Sequence, residues 1–348
     1  MKNINAALLS FGMSGQVFHA PFLDLHPGFT LLGSWERSTK RIASDYPGTK
    51  SYDSIEAVLS DPAVEMVVVN TPTYTHFEYA KKALEAGKHC VVEKAFTSTM
   101  AEAVELNELA KAKNLKLSVF QNRRWDSDFL TVKEVVQKGL IGEVVEATFA
   151  FARYNPNLSP KTHKEKPSGG AGIVKDLGAH VLDQALHLFG MPNAVYADLA
   201  ITRQQSQVED YFDILLLYNK RRVHVKGGYF FREPVPSYVV HGTKGSFLKS
   251  RGDVQEDQLK GGMKPRAAGY GIEAREEEGL LHTEIEGKVI KEKVRTHTGD
   301  FMKYYEGLYE SIVEGKTEPV TSTDGINTMK VIDAAFESAE KGLKVAFL

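Results

Sequence analysis

The side chains best suited to proton transfer lie in a glycine-rich stretch near the middle of the sequence, residues 169–180. Asp176 and His180 stand four positions apart there, a spacing that places both on one face of a helix. A histidine with a carboxylate beside it is the simplest general base for an alcohol. The pair therefore predicts proton abstraction from a hydroxyl group, with His180 as the base.

The same helix face continues through Asp183 and His187, which raises a metal site with Asp and His ligands as an alternative. Four ligands spread over three helical turns cannot converge on one ion, and no other histidine or cysteine pair in the sequence has ligand spacing. We therefore predict no metal site, and we interpret His187 as a packed helix residue.

A turn containing two glycines, residues 10–15, follows the first apolar run and precedes a helical pattern, which is the context of a dinucleotide-binding turn. Gly12 lets the backbone approach a pyrophosphate, and Gly15 lets the helix pack close to the sheet. The helix N-terminus offers its N–H groups to phosphates. Ser10 replaces the usual first glycine, so the match is incomplete. The predicted dinucleotide contacts in this turn are Phe11, Gly12, Met13, Ser14 and Gly15.

Glu36, Arg37 and Ser38 follow the second apolar run. Glu36 lies 21 residues after Gly15, close to the spacing of an acid that binds the ribose 2′-hydroxyl, which favours NAD. Arg37 and Ser38 are suited instead to a 2′-phosphate, through paired N–H donors and a hydroxyl. A solvated turn is the third interpretation, and these residues alone do not choose between NAD and NADP.

Glu93 and Lys94 stand at the end of the apolar run 88–93. Ligands of doubly wound sheets bind outside the carboxyl ends of the strands, so a lysine at this point lies near the nicotinamide end of a dinucleotide. A solvated surface lysine is the alternative interpretation of Lys94.

Short apolar runs alternate with helical patterns through the first third of the sequence. Runs that are apolar throughout are buried on both faces, and strands that alternate with helices form βαβ units with a parallel sheet. We therefore predict a doubly wound, Rossmann-type α/β domain over residues 1–122. Its predicted strands are 4–11, 29–35, 64–70, 88–93 and 116–120, and its predicted helices include 74–86 and 98–113.

After residue 122 the pattern changes to consecutive strand-like runs with few helices. This pattern predicts an α+β domain over residues 123–348 with an open antiparallel sheet. Residues 251–278 are polar and rich in glycine, and we expect them to form a surface excursion. The predicted strands are 143–154, 194–205, 210–218, 223–229, 237–241 and 246–250, and the predicted helices are 128–139, 176–189, 300–314 and 323–341.

The composition excludes several classes of protein. The 348 residues exceed what one core usually serves, which favours two domains. A net charge of −2 argues against nucleic acid as a main partner, and the longest apolar runs are too short to span a membrane. The single cysteine, Cys90, lies in an apolar run, which predicts a buried and inert thiol. Together with the lack of a signal-peptide pattern, this favours the cytoplasm.

Taken in order, these motifs resemble the glucose–fructose oxidoreductase/inositol dehydrogenase (Gfo/Idh/MocA) family over nearly the whole chain, and within it the NADP-dependent scyllo-inositol dehydrogenases. Ala95 departs from the family, which normally has proline at this point, and Ser10 stands where the family has glycine. The motifs that carry the resemblance are the Gly12/Gly15 turn, Thr71-Pro72 followed by His76, Glu93-Lys94, the stretch leading to Asp176 and His180, and residues 14–19, 122–126 and 183–190.

The resemblance implies a role for each chemical residue. His180 takes the proton from the substrate hydroxyl as hydride leaves its carbon for the nicotinamide, and Lys94 hydrogen-bonds the same oxygen. Asp176 holds Lys94 or the substrate. The implied cofactor is NADP or NAD, with NADP preferred, and Thr71, Pro72, His76, Glu93 and Lys94 join the residues that bind it. The implied substrate-binding residues are Asn122, Arg124, Trp125, Arg153, Tyr154 and His163.

The expected substrate is a sugar, a cyclitol or a similar polyol. Apolar side chains on both faces of the run 214–218 predict a homodimer or homotetramer built through the outer face of the second sheet. One alternative is a reductase of another carbonyl, as in the family's dihydrodiol dehydrogenase and biliverdin reductase branches, but Asp176 with His180 favours alcohol chemistry. A second alternative is a non-catalytic dinucleotide sensor, and the presence of Lys94 beside that pair argues against it.

Overall fold

The computed structural model describes residues 2–347. Its strands are β1 Ile4–Leu8, β2 Phe29–Trp35, β3 Lys50–Tyr52, β4 Met66–Val69, β5 His89–Val92, β6 Leu117–Val119, β7 Val144–Ala152, β8 Ala194–Ala200, β9 Tyr211–Leu217, β10 Arg222–Gly228, β11 Tyr238–Gly242, β12 Gly245–Lys249, β13 Gly279–Ile285, β14 Lys288–Val294 and β15 Val345–Ala346. Its α-helices are α1 Ala20–Leu25, α2 Ile42–Asp45, α3 Ile55–Ser60, α4 His76–Glu85, α5 Met100–Ala112, α6 Ser127–Gln137, α7 Thr162–Glu165, α8 Ala179–Phe189, α9 Gln255–Lys260, α10 Met302–Glu314 and α11 Ser322–Lys341. Two π-helical turns, Gly15–His19 and Val174–Gly178, lead directly into α1 and α8.

The chain folds into two compact units whose first boundary follows Asn122. The first unit also includes residues 255–270 and 300–326, and the second consists of residues 123–254, 271–299 and the chain from Asn327 onward. The sequence analysis placed both returning segments in the second domain. The segment 300–326 joins the first unit because α10 packs its aromatic rings there: Tyr305 stacks on Phe22 with ring centroids 5.3 Å apart.

A six-stranded parallel sheet forms the centre of the first unit, in the order β3-β2-β1-β4-β5-β6. The five strands predicted from apolar runs are all present, and β4 is fully buried over its four residues. The sequence analysis missed β3 because it has only three residues, of which Lys50 is exposed. The doubly wound α/β prediction is confirmed.

In the first unit, a capping box begins one helix, and a glycine with a positive φ follows another. Thr99 caps α5 with a capping box: its hydroxyl accepts the backbone N–H of Glu102, whose side chain accepts the N–H of Thr99. The chain leaves α4 at Gly87, which has a φ of 75° that other residues rarely adopt.

The second unit is built on a nine-stranded sheet in the order β14-β13-β12-β11-β7-β10-β9-β8-β15. Neighbouring strands are antiparallel except for the central pair β7 and β10, which are parallel. The predicted antiparallel sheet is therefore present, with one parallel pair at its centre. The connection from β7 to β10 runs through α8, β8 and β9, and so long a crossover lets β10 enter in the same direction as β7.

The two faces of this sheet differ in burial. One row that crosses the sheet is buried throughout and forms the core: Val195, Leu216, Val223, Ala147, Val240, Phe247 and Leu281. The adjacent row, on the opposite face, remains partly or largely exposed: Tyr196, Leu215, His224, Thr148, Val239, Leu248 and Leu280.

The predicted surface excursion, residues 251–278, is only partly irregular. It contains α9, and the buried side chain of Gln255 accepts the backbone N–H of Phe301 at 2.8 Å in the first unit. The sequence analysis missed the two strands that follow, β13 and β14; β14 is mostly exposed, and four of its seven residues are charged. Cys90 is buried, and burial raises the pKa of its thiol, as predicted for an inert cysteine. Between residues 2 and 347, no helix has the length and apolar content that crossing a membrane requires.

Candidate active site

The turn between β1 and the first π-helical turn has space for glycine alone at Gly15. A β-carbon at this position would lie 2.4 Å from the carbonyl oxygen of Ser10. The same carbonyl accepts the side-chain amide of Asn70 at 2.7 Å, which ties the turn to the end of β4. Ser10, the departure from the usual glycine, accepts the N–H of Gly12 on its hydroxyl at 3.2 Å. The Ser10 side chain therefore adds a hydrogen bond to the turn that a glycine at this position could not make.

A pocket of about 360 Å³ opens beside this turn at the carboxyl ends of β1 and β2. It brings together seven of the predicted cofactor-binding residues, which are Phe11, Gly12, Glu36, Arg37, Ser38, Thr71 and Pro72. Tyr74 and Tyr79, which the sequence analysis did not select, add aromatic rings to its wall. A pocket lined by aromatic rings, a guanidinium and several hydroxyls suits the adenosine end of a dinucleotide.

The carboxylate of Glu36 is buried and is already hydrogen-bonded within the protein. It accepts the backbone N–H of Arg41 at 2.7 Å, the N–H of Ile42 at 3.3 Å and the hydroxyl of Ser51 at 2.5 Å. Glu36 therefore binds the N-terminal end of α2, where backbone N–H groups have no partner within the helix. These hydrogen bonds compete with the predicted role of Glu36, which was to accept a hydrogen bond from a ribose hydroxyl.

Glu36 is buried and hydrogen-bonded within the protein, whereas Arg37 and Ser38 are neither. Both side chains are exposed at the pocket, and neither makes a hydrogen bond or ion pair with any residue between 2 and 347. A guanidinium and a hydroxyl in this state are available to a phosphate.

His76 is fully buried and does not line the pocket. Its Nδ1 lies 2.9 Å from the carbonyl oxygen of Ala95, and its Nε2 lies 2.8 Å from that of Thr71. Burial lowers the pKa of His76, against the opposing effect of these carbonyl groups. The ring thus connects the Thr71 turn to the Lys94–Ala95 segment, in which the peptide bond is cis.

Glu93 lies between the glycine turn and Lys94 and binds both. One carboxylate oxygen accepts the Ser14 hydroxyl at 2.5 Å and lies 3.1 Å from Nε2 of His19, and the other accepts the backbone N–H of Lys94 at 3.2 Å. Burial alone would raise the pKa of Glu93. The His19 ring and the Ser14 hydroxyl outweigh burial and hold this pKa at about 2.

The predicted acid–base pair lies in the second unit, at the start of α8. Asp176 falls in the π-helical turn Val174–Gly178, and His180 is buried on the first turn of α8. Both carboxylate oxygens of Asp176 accept the ammonium of Lys164 at 2.8 Å. Lys164 was not a predicted site residue, because the loop that carries it has several lysines and no pattern that singles one out.

Asp176 lines a polar cavity of about 120 Å³ within the second unit. Arg153, a predicted substrate-binding residue, lines the same cavity and lies over the ring of Tyr229. The other charged side chains of the lining are Lys164, Glu165, Arg203 and Glu209. A small space surrounded by donors and acceptors suits a ligand with several hydroxyl groups.

Glu209 holds the segment that leads to Asp176. Its backbone carbonyl accepts the N–H of Ile173 at 3.0 Å, and its carboxylate accepts the N–H of Val174 at 3.3 Å. Gly172 leaves room for that carboxylate, since a β-carbon there would lie 1.9 Å from it. Burial is the main cause that raises the pKa of Glu209 to about 7. No sequence signal indicated this residue.

The remaining predicted substrate-binding residues have different surroundings. Arg124 is buried and binds Asp183 through two hydrogen bonds of 2.7 Å each. Tyr154 is exposed and lies under the guanidinium of Arg232, and His163 does not line the cavity. Asn122 is buried and Trp125 is half-buried in the turn that joins β6 to α6.

Asp183 and His187, which the metal-site alternative would use as ligands, bind other side chains of the protein. Asp183 binds Arg124, and Nε2 of His187 lies 2.9 Å from the ammonium of Lys133. No group of three potential metal ligands occurs in the part of the chain that the structure describes.

Both parts of the chain match one oxidoreductase family, Gfo/Idh/MocA: its NAD-binding Rossmann fold over residues 4–121 and its C-terminal alpha/beta domain over residues 133–347. The scyllo-inositol 2-dehydrogenase (NADP(+)) IolW of Bacillus subtilis is 37% identical over 342 residues, which cover 98% of this chain and 95% of that protein. The oxidoreductase YdgJ of Escherichia coli is 37% identical over 97% of each chain. The crystal structure of an oxidoreductase from Bacillus cereus has a TM-score of 0.92 at 29% identity, covering 99% of both chains.

Fold, site and relatives together define an NAD(P)-dependent oxidoreductase that acts on CH–OH groups of small molecules. The chain belongs to the Gfo/Idh/MocA oxidoreductase family, as its motifs predicted. The first unit fits the dinucleotide, because the turn at Gly15 excludes a side chain and the pocket beside Arg37 follows it directly.

Proposed function

We propose that this protein is an NADP-dependent dehydrogenase of a cyclitol or a related polyol. The observation that carries the proposal is the cavity at Asp176, whose lining of charged side chains matches a ligand that is rich in hydroxyl groups. The relative IolW is named for scyllo-inositol and NADP, which is a substrate of this chemical class.

In this proposal, His180 accepts the proton of the reacting hydroxyl, and Lys94 donates a hydrogen bond to the same oxygen as it gains carbonyl character. The bound nicotinamide supplies the hydride acceptor or donor. Asp176 orients the substrate or Lys94, and Lys164 fixes the Asp176 carboxylate through its two hydrogen bonds. Arg153 contributes a further donor at the cavity wall.

The preference for NADP rests on the contrast between Glu36 and its neighbours. The Glu36 carboxylate is held by Arg41, Ile42 and Ser51, so accepting a ribose hydroxyl would require it to give up a protein partner. Arg37 and Ser38 need give up nothing to bind a 2′-phosphate. We therefore infer that the pocket selects the phosphorylated dinucleotide.

The test is a substrate panel on purified protein, followed by the absorbance of reduced nicotinamide. Inositol isomers, aldoses and linear polyols are each offered with NADP or NAD. We expect turnover with at least one cyclitol or sugar, and a higher kcat/KM with NADP. Turnover confined to carbonyl compounds chemically unrelated to polyols would favour the alternative reductase, and binding without turnover would favour a sensor.

We also propose a homodimer or homotetramer, in the cytoplasm, that associates through the exposed face of the nine-stranded sheet. Five of the seven residues in the exposed row are apolar or aromatic, and cross-strand register makes them contiguous. Sedimentation should show a particle larger than the 38.6 kDa chain. Leu248→Glu, in the middle of the row, should dissociate it, whereas Val289→Glu on the edge strand β14 should not. A 38.6 kDa wild-type particle at micromolar concentration would refute this assembly.

A further inference from the structure

Glu209 lines the cavity at Asp176, and the function described above assigns it no contact with the substrate. Local bonds fix its position. Its backbone carbonyl accepts the N–H of Ile173 at 3.0 Å, and one carboxylate oxygen, Oε1, accepts the N–H of Val174 at 3.3 Å. The other oxygen, Oε2, makes no hydrogen bond with another residue between 2 and 347, and it is not buried. Glu209 therefore offers the cavity a fixed carboxyl group with one oxygen open to a ligand.

The other charged side chains of the lining are paired within the second unit, with the exception of Arg153. The guanidinium of Arg153 makes no hydrogen bond or ion pair with a residue between 2 and 347, although it lies over the ring of Tyr229. The paired groups lie 2.8 or 2.9 Å apart, and they are Lys164 with Asp176, Arg203 with Glu165, and Arg203 with Asp210. A ligand in the cavity can therefore bind Glu209 without separating any of these ion pairs.

The surroundings of Glu209 determine which ligand group its open oxygen can bind. Burial is the main cause that raises the pKa of this carboxyl to about 7, and the Asp210 carboxylate adds to it. The backbone N–H groups of Glu209 and Val174 and the ammonium of Lys175 oppose the rise. Near neutral pH the group is therefore present both as an acid, which can donate, and as a carboxylate, which only accepts. A hydroxyl suits both states, whereas an anionic ligand group suits only the acid.

We propose that Glu209 is a specificity-determining residue, whose Oε2 binds a hydroxyl of the substrate other than the one that is oxidised. The inference rests on the proposed function, and it narrows the substrate to a neutral polyol with a second hydroxyl in reach of this carboxyl. The two carboxyl groups belong to one short turn: the N–H of Asp176 binds the carbonyl of Gly172 at 3.1 Å, and a β-carbon at Gly172 would lie 1.9 Å from the Glu209 carboxylate. One ring can therefore contact both.

The first test is a cycle between the residue and the substrate. The polyol with the highest kcat/KM is compared with its monodeoxy analogues, each of which lacks one non-reacting hydroxyl, on the wild type and on Glu209→Ala. At pH 8.5 the wild type should discriminate against one analogue by about 10- to 150-fold in kcat/KM, the value of a hydrogen bond to a charged group. Glu209→Ala should treat that analogue and the parent nearly alike. A displaced Asp176 would slow both compounds equally, so it leaves this ratio unchanged.

The second test uses Glu209→Gln, whose amide oxygen can still accept the N–H of Val174. In the wild type, the discrimination against the same analogue should be only about 2- to 12-fold at pH 5.5, where the bond is between neutral groups, and should rise with pH. In Glu209→Gln it should be the same at pH 5.5 and pH 8.5, because an amide does not ionise. Other titrating groups act on parent and analogue alike. Glu276→Gln, an exposed glutamate of the same unit, is the control and should keep the wild-type pH dependence.

The outcomes separate the inference from the proposed function. If polyols are oxidised but Glu209→Ala discriminates against every analogue as the wild type does, Glu209 only holds Val174 in place and the assignment is wrong, while the proposed function stands. If Glu209→Ala does not fold, Glu209→Gln decides, and a wild-type pH dependence in that variant would overturn the assignment. If no polyol is oxidised, the proposed function fails, and the inference fails with it.

Discussion

Ser51, on β3, donates its hydroxyl to the carboxylate of Glu36 at the end of β2. The bond joins the carboxyl ends of two neighbouring parallel strands, and it places an acid with the spacing of a ribose ligand inside the protein. In the proposed function, the choice between NAD and NADP therefore depends on the exposed neighbours of Glu36, which are Arg37 and Ser38.

The first prediction concerns Arg37. Arg37→Ala should weaken NADP binding by about 1.5–3 kcal/mol, the value of a charge-assisted hydrogen bond, and should leave NAD binding unchanged. Titration of both cofactors by fluorescence or calorimetry measures the difference. Lys40→Ala is the control, because it removes the same charge from the same turn but its ammonium already binds Asp53. Equal effects of the two substitutions on NADP affinity would show that NADP responds to the overall positive charge of the turn and not to a direct bond with Arg37.

The second prediction separates the two roles of Glu36. Glu36→Gln keeps the size of the side chain but weakens its bonds to Arg41 and Ser51, so the free energy of unfolding should fall by about 1–3 kcal/mol. Urea denaturation measures this, and Ser51→Ala should give a smaller loss of the same kind. The ratio of NAD to NADP affinity should stay nearly constant. A selective loss of NAD affinity would instead assign Glu36 to the ribose.

The third prediction tests the base. His180→Ala should slow hydride transfer by ~10²–10⁴-fold, the usual size of general acid–base catalysis, with little change in dinucleotide affinity. Wild-type oxidation should also slow at acid pH, because a protonated imidazole cannot accept the hydroxyl proton. His187→Ala is the control on the same helix, and it should retain turnover because its ring contacts Lys133 and Phe129. Wild-type turnover in His180→Ala would make His180 a structural residue.

The fourth prediction follows from Glu209, whose pKa burial raises from 4.5 to about 7. The folded protein then binds more protons at this site than the unfolded chain between these two values. Stability contributed by the neutral carboxyl is therefore present below about pH 4.5 and is lost as pH rises through 7, by at most about 3 kcal/mol.

Glu209→Gln should remove this dependence, because an amide does not ionise. Chemical denaturation at pH 5 and pH 8 measures it: the variant should gain on the wild type only at pH 8. Glu276→Gln, an exposed glutamate of the same unit, should show no such difference. A gain for Glu209→Gln that is equal at both pH values would indicate packing and not ionisation.

The sequence predicted those elements whose signal is local. Gly12 and Gly15 define a turn within six residues, and the apolar runs of β1, β2, β4, β5 and β6 are visible without any partner. The role of Glu36 was not predictable in the same way, since its partner Ser51 reaches it only when β3 pairs with β2. Glu209 gave no signal at all, because its burial depends on how Gly172 approaches it in three dimensions.

The predicted substrate residues show the same limit. Arg153 lines the cavity at Asp176, but Arg124 binds Asp183 on α8, which lies 59 positions further along the chain. Both are arginines near apparent site motifs, and no local pattern distinguishes an arginine that lines a cavity from one that forms a buried ion pair. The distinction depends on tertiary packing.

The first unit is built from three separate stretches of the chain, and this has a consequence for its synthesis on the ribosome. Tyr304 and Tyr305 pack on Phe120 and Phe22, with ring centroids 4.9 Å and 5.3 Å apart, yet they are translated almost 200 residues after Phe120. Until α10 leaves the exit tunnel, the nascent chain lacks the two tyrosine rings that cover these phenylalanines, and exposed apolar surface of this kind favours aggregation. The dinucleotide-binding half, although it begins the polypeptide, is therefore completed only when translation is nearly finished.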